Sequence, residues 1–154
     1  KIGSLIEAFY RAELPVVFTQ HVNTQEDAGM MARWWREMIK PQTAHSHISP
    51  AIDLSKGIVF KKAQYDAFLG TPLAELLAER DVEQVVVTGV MTHLCCETTA
   101  RSAFMRGFEV FFAVDGTATY NEELHRASLL SLSHGFAIPV TVGEMLEEMD
   151  THAN

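Results

Sequence analysis

The sequence predicts a single α/β domain with a three-layer α/β/α architecture, in which helices cover both faces of a mostly parallel sheet. Short apolar runs typical of strands alternate with segments of helical periodicity along the 154 residues. The strand runs are apolar almost throughout, as expected for strands buried on both faces. The length is sufficient for one domain with a substantial core.

Each predicted helix has a recognisable pattern or boundary. The first has apolar residues at helical spacing, the third begins with Thr71 and Pro72, and the fifth begins after Asn121 and ends at Gly135. The helices are predicted at 1–14, 26–38 (less regular), 71–80, from about 95, 122–135 and 143–149.

The predicted strands lie between these helices and are short and rich in Val, Ile and Phe. They are predicted at 16–22, 57–60, 85–88, 108–116 and 137–142. Residues 40–56 are polar, contain two prolines and are predicted to form a loop. Because ligands of parallel sheets bind beyond the carboxyl ends of the strands, we expect chemistry at that edge.

Charge and cysteine content exclude several classes of protein. The net charge of −8 argues against nucleic acid or an anionic membrane surface as the main partner. The two cysteines are neighbours, which excludes a disulfide framework and favours a cytoplasmic location. The sequence contains no apolar run long enough to span a membrane. It opens with Lys1 inside a predicted helix, so we expect an upstream segment.

Cys95 is the strongest candidate for chemistry. It lies where the strand 85–88, interrupted by Gly89, turns into a helix, and the N–H groups of a helix amino end favour thiolate over thiol. The alternative is that a free cysteine is a small buried apolar residue. We interpret Cys95 as the nucleophile and Cys96, which shares a helix face with Ala100 and Ala103, as core.

A cationic group is expected near such a thiolate, and Lys61 and Lys62 follow the strand 57–60. Side chains alternate along a strand, so one lysine faces the site side and the other faces away. Two solvated lysines at a strand end are the simpler alternative. Spacing alone leaves the choice between the two lysines open.

Three motifs resemble the isochorismatase-like cysteine hydrolase family, which has a Rossmann-like fold and includes nicotinamidases, N-carbamoyl amidohydrolases and isochorismatases. They are KKAQYDAFLGTPL, TGVMTHLCCETTARSAFMRGF and VDGTATYNEELHRASL, and the similarity runs from about Pro15 to Glu144. The resemblance implies that Cys95, six residues after Gly89, is the nucleophile. It also selects Lys62, which lies three residues before the Tyr and six before the Phe of the Y-x-x-F motif.

The resemblance also implies the surroundings of the nucleophile. It implies a non-proline cis peptide bond between Val90 and Met91, and an oxyanion held by the N–H groups of Met91 and Cys95. We expect Trp34 to line the substrate pocket and Trp35 to pack in the core. The complete set of predicted oxyanion and substrate contacts is Val90, Met91, Thr92, Tyr65, Phe68 and Trp34.

One part of the family pattern is not found in the sequence. The family has an aspartate at the end of a first strand, and we expect that strand upstream of Lys1. Asp115 lies at the correct sheet edge but is interpreted as structural, and Asp66 as facing away from the site. The domain is therefore predicted to cover residues 1–154 and to lack its first strand.

The seven histidines raise the question of a metal, because nicotinamidases of the family bind one through a D-x-H-x-x-x-H-like run. The corresponding stretch after the strand 16–22 lacks that spacing, and the H-S-H at 45–47 is interpreted as a polar loop. We predict no metal and no cofactor.

The resemblance implies a hydrolase that cleaves the C–N bond of a small amide, carbamoyl or ureido substrate through a covalent acyl-enzyme. One alternative is vinyl-ether hydrolysis of isochorismate, which needs no thiol. Another is a non-catalytic binding member of the family. The resemblance also implies a homo-oligomer, a dimer or a tetramer, with a small-molecule substrate as its ligand.

Overall fold

The computed structural model describes residues 1–152, in which helices and parallel strands alternate. The strands are β1 (Val17–His21), β2 (Ile58–Lys62), β3 (Gln84–Val90), β4 (Glu109–Ala118) and β5 (Ile138–Val140). The helices are α1 (Ile2–Arg11), α2 (Met31–Trp34), α3 (Leu73–Glu79), α4 (Glu97–Met105), α5 (Glu122–Gly135) and α6 (Val142–His152). The predicted α/β class is confirmed.

The strands form two parallel sheets rather than the one sheet that the sequence predicts. β1 pairs with β2, and a second sheet has the order β3-β4-β5. Both sheets nevertheless contribute to one hydrophobic core, because Val17 of β1, Phe60 of β2 and Val85 of β3 pack against the same buried cluster. The two sheets therefore share one hydrophobic core, although their strands do not pair with each other.

The helices cover the three-stranded sheet from both sides, as predicted. Val85 and Val87 of β3 and Phe112 of β4 face the cluster that includes side chains of α3, α4 and α5. Val86 and Ala113, one residue out of phase, face a second cluster formed with α1 and α6. This alternation follows from the two-residue period of a strand.

Two helices differ most from their predicted bounds. The helix predicted at 26–38 is reduced to α2, because the backbone is extended at Trp35 (φ −98°, ψ 138°), whose indole N–H donates to the Tyr65 hydroxyl at 2.7 Å. The helix predicted from about Cys95 begins earlier, with a π-helical turn over Thr92–Cys96 that continues into α4. Within residues 1–152, no helix has both the length and the apolar character needed to cross a membrane.

Candidate active site

The site lies where β1, β2 and β3 end. His21 and Lys62 are register partners at the ends of β1 and β2, and Cys95 follows the end of β3 in the π-helical turn. Lys62 Nζ lies 3.3 Å from Cys95 Sγ, which is hydrogen-bonding distance for sulfur. Two residues that are 33 positions apart in the sequence thus meet at the edge where parallel sheets bind ligands.

Lys62 is buried, with only 4% of its surface exposed, whereas Lys61 is exposed. Its ammonium group also donates to the carbonyl oxygens of Gln64 at 2.8 Å and Tyr65 at 3.1 Å. No carboxylate forms an ion pair with Lys62 in the described part of the chain. Because a buried cation is costly without a counter-charge, the Cys95 sulfur is the group that can provide one.

Opposing effects act on the Cys95 thiol. Burial raises its pKa, but the His21 side chain beside it and the positive charge of Lys62 lower it by more. The pKa of Cys95 is therefore below the ordinary value for a cysteine. A lower pKa increases the fraction of thiolate, which is the nucleophilic form of a cysteine.

Cys96 has the opposite character, in agreement with its interpretation as core. Only 4% of its surface is exposed, and it belongs to the cluster that contains Ala100 and Phe112. Its Sγ lies 3.7 Å from the Thr88 carbonyl oxygen. Burial, together with the neighbouring Cys95, raises the pKa of the Cys96 thiol to about 12.

A cavity of about 410 Å³ is lined by sequence neighbours of Cys95 and Lys62, although neither of these two residues is itself part of its wall. Its walls are mainly aromatic and sulfur-containing side chains, with two polar groups; they are Met30, Met31, Trp34, Trp35, Gln64, Tyr65, His93 and Leu94. Trp34 and Tyr65, two of the predicted substrate contacts, line this cavity. One of the two tryptophans was expected in the core, but Trp35 also lines the cavity, and its indole N–H donates to the Tyr65 hydroxyl.

Two predicted substrate contacts lie elsewhere. Phe68 is 6% exposed, belongs to the hydrophobic core and stacks on Phe108 with a centroid distance of 6.0 Å. The Thr92 side chain is completely buried, and its hydroxyl lies 3.0 Å from His125 Nδ1. The structure therefore places both side chains in the interior, away from the cavity wall.

Val90 and Met91 connect β3 to the π-helical turn. The peptide bond between them is cis. The Val90 side chain is 65% exposed and is not part of the cavity wall.

Asp66 and Asp115, which are not predicted to be catalytic, both form structural hydrogen bonds. Asp66 accepts hydrogen bonds from the Phe68 N–H at 2.9 Å and the Ser102 hydroxyl at 2.7 Å. Asp115 accepts one from the Val142 N–H at 2.7 Å, at the start of α6. Neither carboxylate contacts Cys95 or Lys62 in these interactions.

The described residues do not form a metal site. Among residues 1–152, no three His, Cys, Asp or Glu side chains come together in a way that could hold a metal ion. The D-x-H donor set that the resemblance implies does not fit this chain, because β1 ends in His21 and is followed by Asn23, and these two side chains bond to each other, Nε2 to Oδ1, at 2.8 Å.

His21 and Asn23 lie at the site but were not predicted from the sequence. His21 ends β1 in register with Lys62, and Asn23 is 2% exposed. The signal was available, because the last residue of a predicted parallel strand lies at the ligand-binding edge.

A thiol of lowered pKa beside a buried ammonium group, at the carboxyl edge of parallel strands, is the arrangement of an enzyme with a cysteine nucleophile. Comparison with known families identifies which one. The model of the isochorismatase domain family matches residues 1–144, and the chain belongs to this family. The predicted resemblance is confirmed.

Individual relatives are consistent with this assignment. The chain is 45% identical over 137 residues to nicotinamidase 3 of Arabidopsis thaliana, covering 86% of this chain and 69% of the plant protein. It is 30% identical to enterobactin synthase component B of Escherichia coli K12 over 83% of this chain but spans less than half, 46%, of that protein. A solved cysteine hydrolase from Pseudomonas syringae shares the fold, with a TM-score of 0.90 at 24% identity, covering 97% of this chain and 78% of that one.

Proposed function

We propose that this protein hydrolyses the C–N bond of a small amide, carbamoyl or ureido compound through a thioester-type acyl-enzyme on Cys95. The observation that carries the proposal is the 3.3 Å contact between Cys95 Sγ and the buried Lys62 ammonium group. Membership in the isochorismatase family and the 45% identity to a nicotinamidase support a hydrolase acting on amide C–N bonds.

The acylation step follows from the polarity of the site. The Cys95 thiolate attacks the carbonyl carbon, and the carbonyl π electrons move to oxygen. We propose that the N–H groups of Met91 and Cys95, at the start of the helical turn, hold this oxyanion. Lys62 stabilises the thiolate before attack and the charge of the tetrahedral intermediate after it. The C–N bond then breaks, and the amine leaves with a proton.

We infer that this proton comes from a carboxylic acid on a further strand, the aspartate that the family pattern places at the end of its first strand. β1 and β3 each pair with only one strand among the described residues, although Val17 and Val85 pack against one core. A parallel strand between them would make one sheet and complete a single isochorismatase-like domain. An aspartate at its carboxyl end would lie beside Lys62 and Cys95, protonate the leaving amine and then activate water. The coding sequence upstream of Lys1 tests this, since it should encode an apolar strand that ends in Asp.

The cavity indicates what kind of acyl group the site accepts. Trp34, Trp35 and Tyr65 provide flat apolar walls, and Gln64 and His93 provide polar groups. A planar, mostly apolar acyl group with one or two hydrogen-bonding atoms fits such a lining. Nicotinamide, the substrate in the name of the plant relative, has this character and is the first compound to test.

Isochorismate hydrolysis is the second candidate, and the name of the family model favours it. That reaction cleaves a vinyl ether and uses no thiol. The position of Cys95 beside Lys62 would then have no catalytic purpose, so amide hydrolysis explains more of the site.

The experiment is a comparison of wild-type protein with Cys95→Ala on nicotinamide, simple ureido compounds and isochorismate. The proposal predicts ammonia release by the wild type, an acyl adduct on the Cys95 peptide by mass spectrometry, and no turnover by Cys95→Ala. Retained amide turnover in Cys95→Ala contradicts it. Isochorismate turnover that survives the substitution supports the second candidate, and inertness of the wild type to all compounds supports a binding protein.

We also propose that the protein is a cytoplasmic homo-oligomer. Both cysteines are free thiols, and Cys95 must stay reduced to act, which suits a reducing compartment. Large apolar side chains near the site edge are exposed, among them Met30, Trp34 and Tyr120. Light scattering on the purified protein distinguishes a dimer or tetramer from a monomer.

A further inference from the structure

Asn23 and His21 form a buried pair at the end of β1. Asn23 Nδ2 donates to the Ala63 carbonyl oxygen at 2.7 Å, which fixes the orientation of the amide. Its Oδ1 therefore faces His21 Nε2, at 2.8 Å. Since Oδ1 can only accept, Nε2 carries the proton and donates it.

This assignment determines the state of the other ring nitrogen. In a neutral imidazole with its proton on Nε2, Nδ1 is an acceptor. Nδ1 of His21 is buried and makes no hydrogen bond within residues 1–152. A buried polar atom without a partner is costly, and a purely structural histidine would have both nitrogens satisfied.

The direction of the ring follows from the strand register. His21 and Lys62 are partners in the parallel β1–β2 ladder, and partners in a ladder point to the same face. Lys62 Nζ on that face contacts Cys95 Sγ. The His21 imidazole lies beside the same sulfur, where it acts with Lys62 to lower the pKa of the Cys95 thiol against the effect of burial.

We propose that His21 is the proton acceptor of Cys95, and that Asn23 is the positioning residue that presents its Nδ1 to the thiol. The S–H bond breaks, the proton binds Nδ1, and the electron pair stays on sulfur, giving an imidazolium–thiolate pair. The proton remains on Nδ1 while the thiolate attacks. Deacylation regenerates the thiolate, so the imidazolium–thiolate pair is restored at the end of each cycle without a net gain or loss of protons. The proposal rests on the proposed function only in that this thiolate is the nucleophile.

The first test uses the unsubstituted protein, so that folding of a variant cannot confuse it. In protein labelled with ¹⁵N-histidine, the proposal predicts that both ring nitrogens of His21 have imidazolium shifts at neutral pH. In Cys95→Ala the ring should become neutral, with the proton on Nε2. A neutral ring in the wild type, or the same ring state in both proteins, overturns the proposal.

The second test removes the acceptor but keeps the bond to Asn23. The amide of Gln reaches the position of Nε2 but has no atom at that of Nδ1, so His21→Gln isolates the Nδ1 contribution. The pH midpoint of Cys95 alkylation by iodoacetamide should rise by about one unit, which makes alkylation about tenfold slower at pH 7. An unchanged midpoint in a folded His21→Gln overturns the role of His21.

The positioning role of Asn23 has its own readout. Asn23→Leu removes the acceptor for the Nε2 proton, frees the ring and should raise the alkylation midpoint. Equal midpoints in Asn23→Leu and the wild type contradict the positioning role. Failure of this proposal can be distinguished from failure of the proposed function. A shifted alkylation midpoint in the variants, without turnover of any amide by the wild type, would support the His21–Cys95 pair and refute the hydrolase.

Discussion

Cys95 and Cys96 are consecutive residues with opposite surroundings. Cys95 faces the ends of β1 and β2, where Lys62 and His21 lie, and its pKa is lowered. Cys96 faces the hydrophobic core, and burial raises its pKa to about 12. Both sulfurs are largely removed from water, so burial alone does not decide their chemistry. At Cys95 the His21 side chain and the Lys62 ammonium group, 3.3 Å from the sulfur, outweigh burial, whereas at Cys96 burial outweighs the charge of Lys62.

The largest effect should come from removing the sulfur on the site side. Cys95→Ala should lower kcat/KM for an amide on the order of 10⁴-fold or more, as expected for loss of a nucleophile. Its matched control is Cys96→Ala, which should keep kcat and lose roughly 1 kcal/mol of unfolding free energy to a small cavity. Steady-state kinetics and denaturant unfolding measure the two quantities. Equal loss of activity in both variants would remove the distinction between the cysteines.

The second-largest effect should come from removing the charge of Lys62, which contacts Cys95. Lys62→Met keeps the length and apolar part of the side chain but removes the charge that lowers the Cys95 pKa. Since the thiolate forms as pH rises through that pKa, the acid limb of kcat/KM should move to higher pH, and activity at pH 7 should fall about 100-fold.

Lys61→Met is the matched control for this substitution, since Lys61 is exposed and its side chain belongs to no site contact. It should leave the pH profile in place. A profile that moves equally in both variants would mean that net charge, rather than the 3.3 Å contact, sets the thiol pKa.

A smaller effect separates the site side from the core side within the Y-x-x-F motif. Tyr65→Phe removes the hydroxyl that accepts from Trp35 and should raise KM about threefold with little change in unfolding free energy, because about 1 kcal/mol is typical of one hydrogen bond. Phe68→Leu should lower the unfolding free energy by about 1 kcal/mol and leave KM unchanged. A higher KM in Phe68→Leu would return Phe68 to the substrate site.

The smallest effect concerns pH and Cys96. Its pKa is raised in the folded state, so its contribution to stability is complete below the unfolded value of 9.0 and is lost as pH rises towards about 12. The unfolding free energy of the wild type should therefore fall relative to that of Cys96→Ala above pH 9. Urea titrations of both proteins at pH 8 and pH 10 measure this, and a constant difference between them contradicts it.

Much of this contrast follows from local sequence. The strand 85–88, Gly89 and the following cysteines predict a strand-to-helix turn at the sheet edge, and the spacing to Ala100 and Ala103 predicts that Cys96 is core. The α/β class and the three layers follow from the alternation of strand-like and helix-like patterns of apolar residues along the sequence. These features depend on neighbours in the sequence, which a pattern can describe.

The parts that the sequence did not predict depend on distant residues. The shortening of the helix at 26–38 involves a bond from Trp35 to Tyr65, 30 positions away. The roles of His21 and Asn23 depend on the β1–β2 register and on the Ala63 carbonyl, and Phe68 is in the core because Phe108 stacks on it. Periodicity carries no information on such pairings.

The central claim is that Cys95 is ionised in the folded protein and Cys96 is not. The most direct measurement is brief iodoacetamide treatment of the native protein at pH 7, followed by digestion and fragment-ion mass spectrometry that locates the label. We predict rapid labelling of Cys95, with Cys96 labelled only after unfolding. Equal labelling of the two sulfurs, or an inert Cys95 in folded protein, would contradict the account.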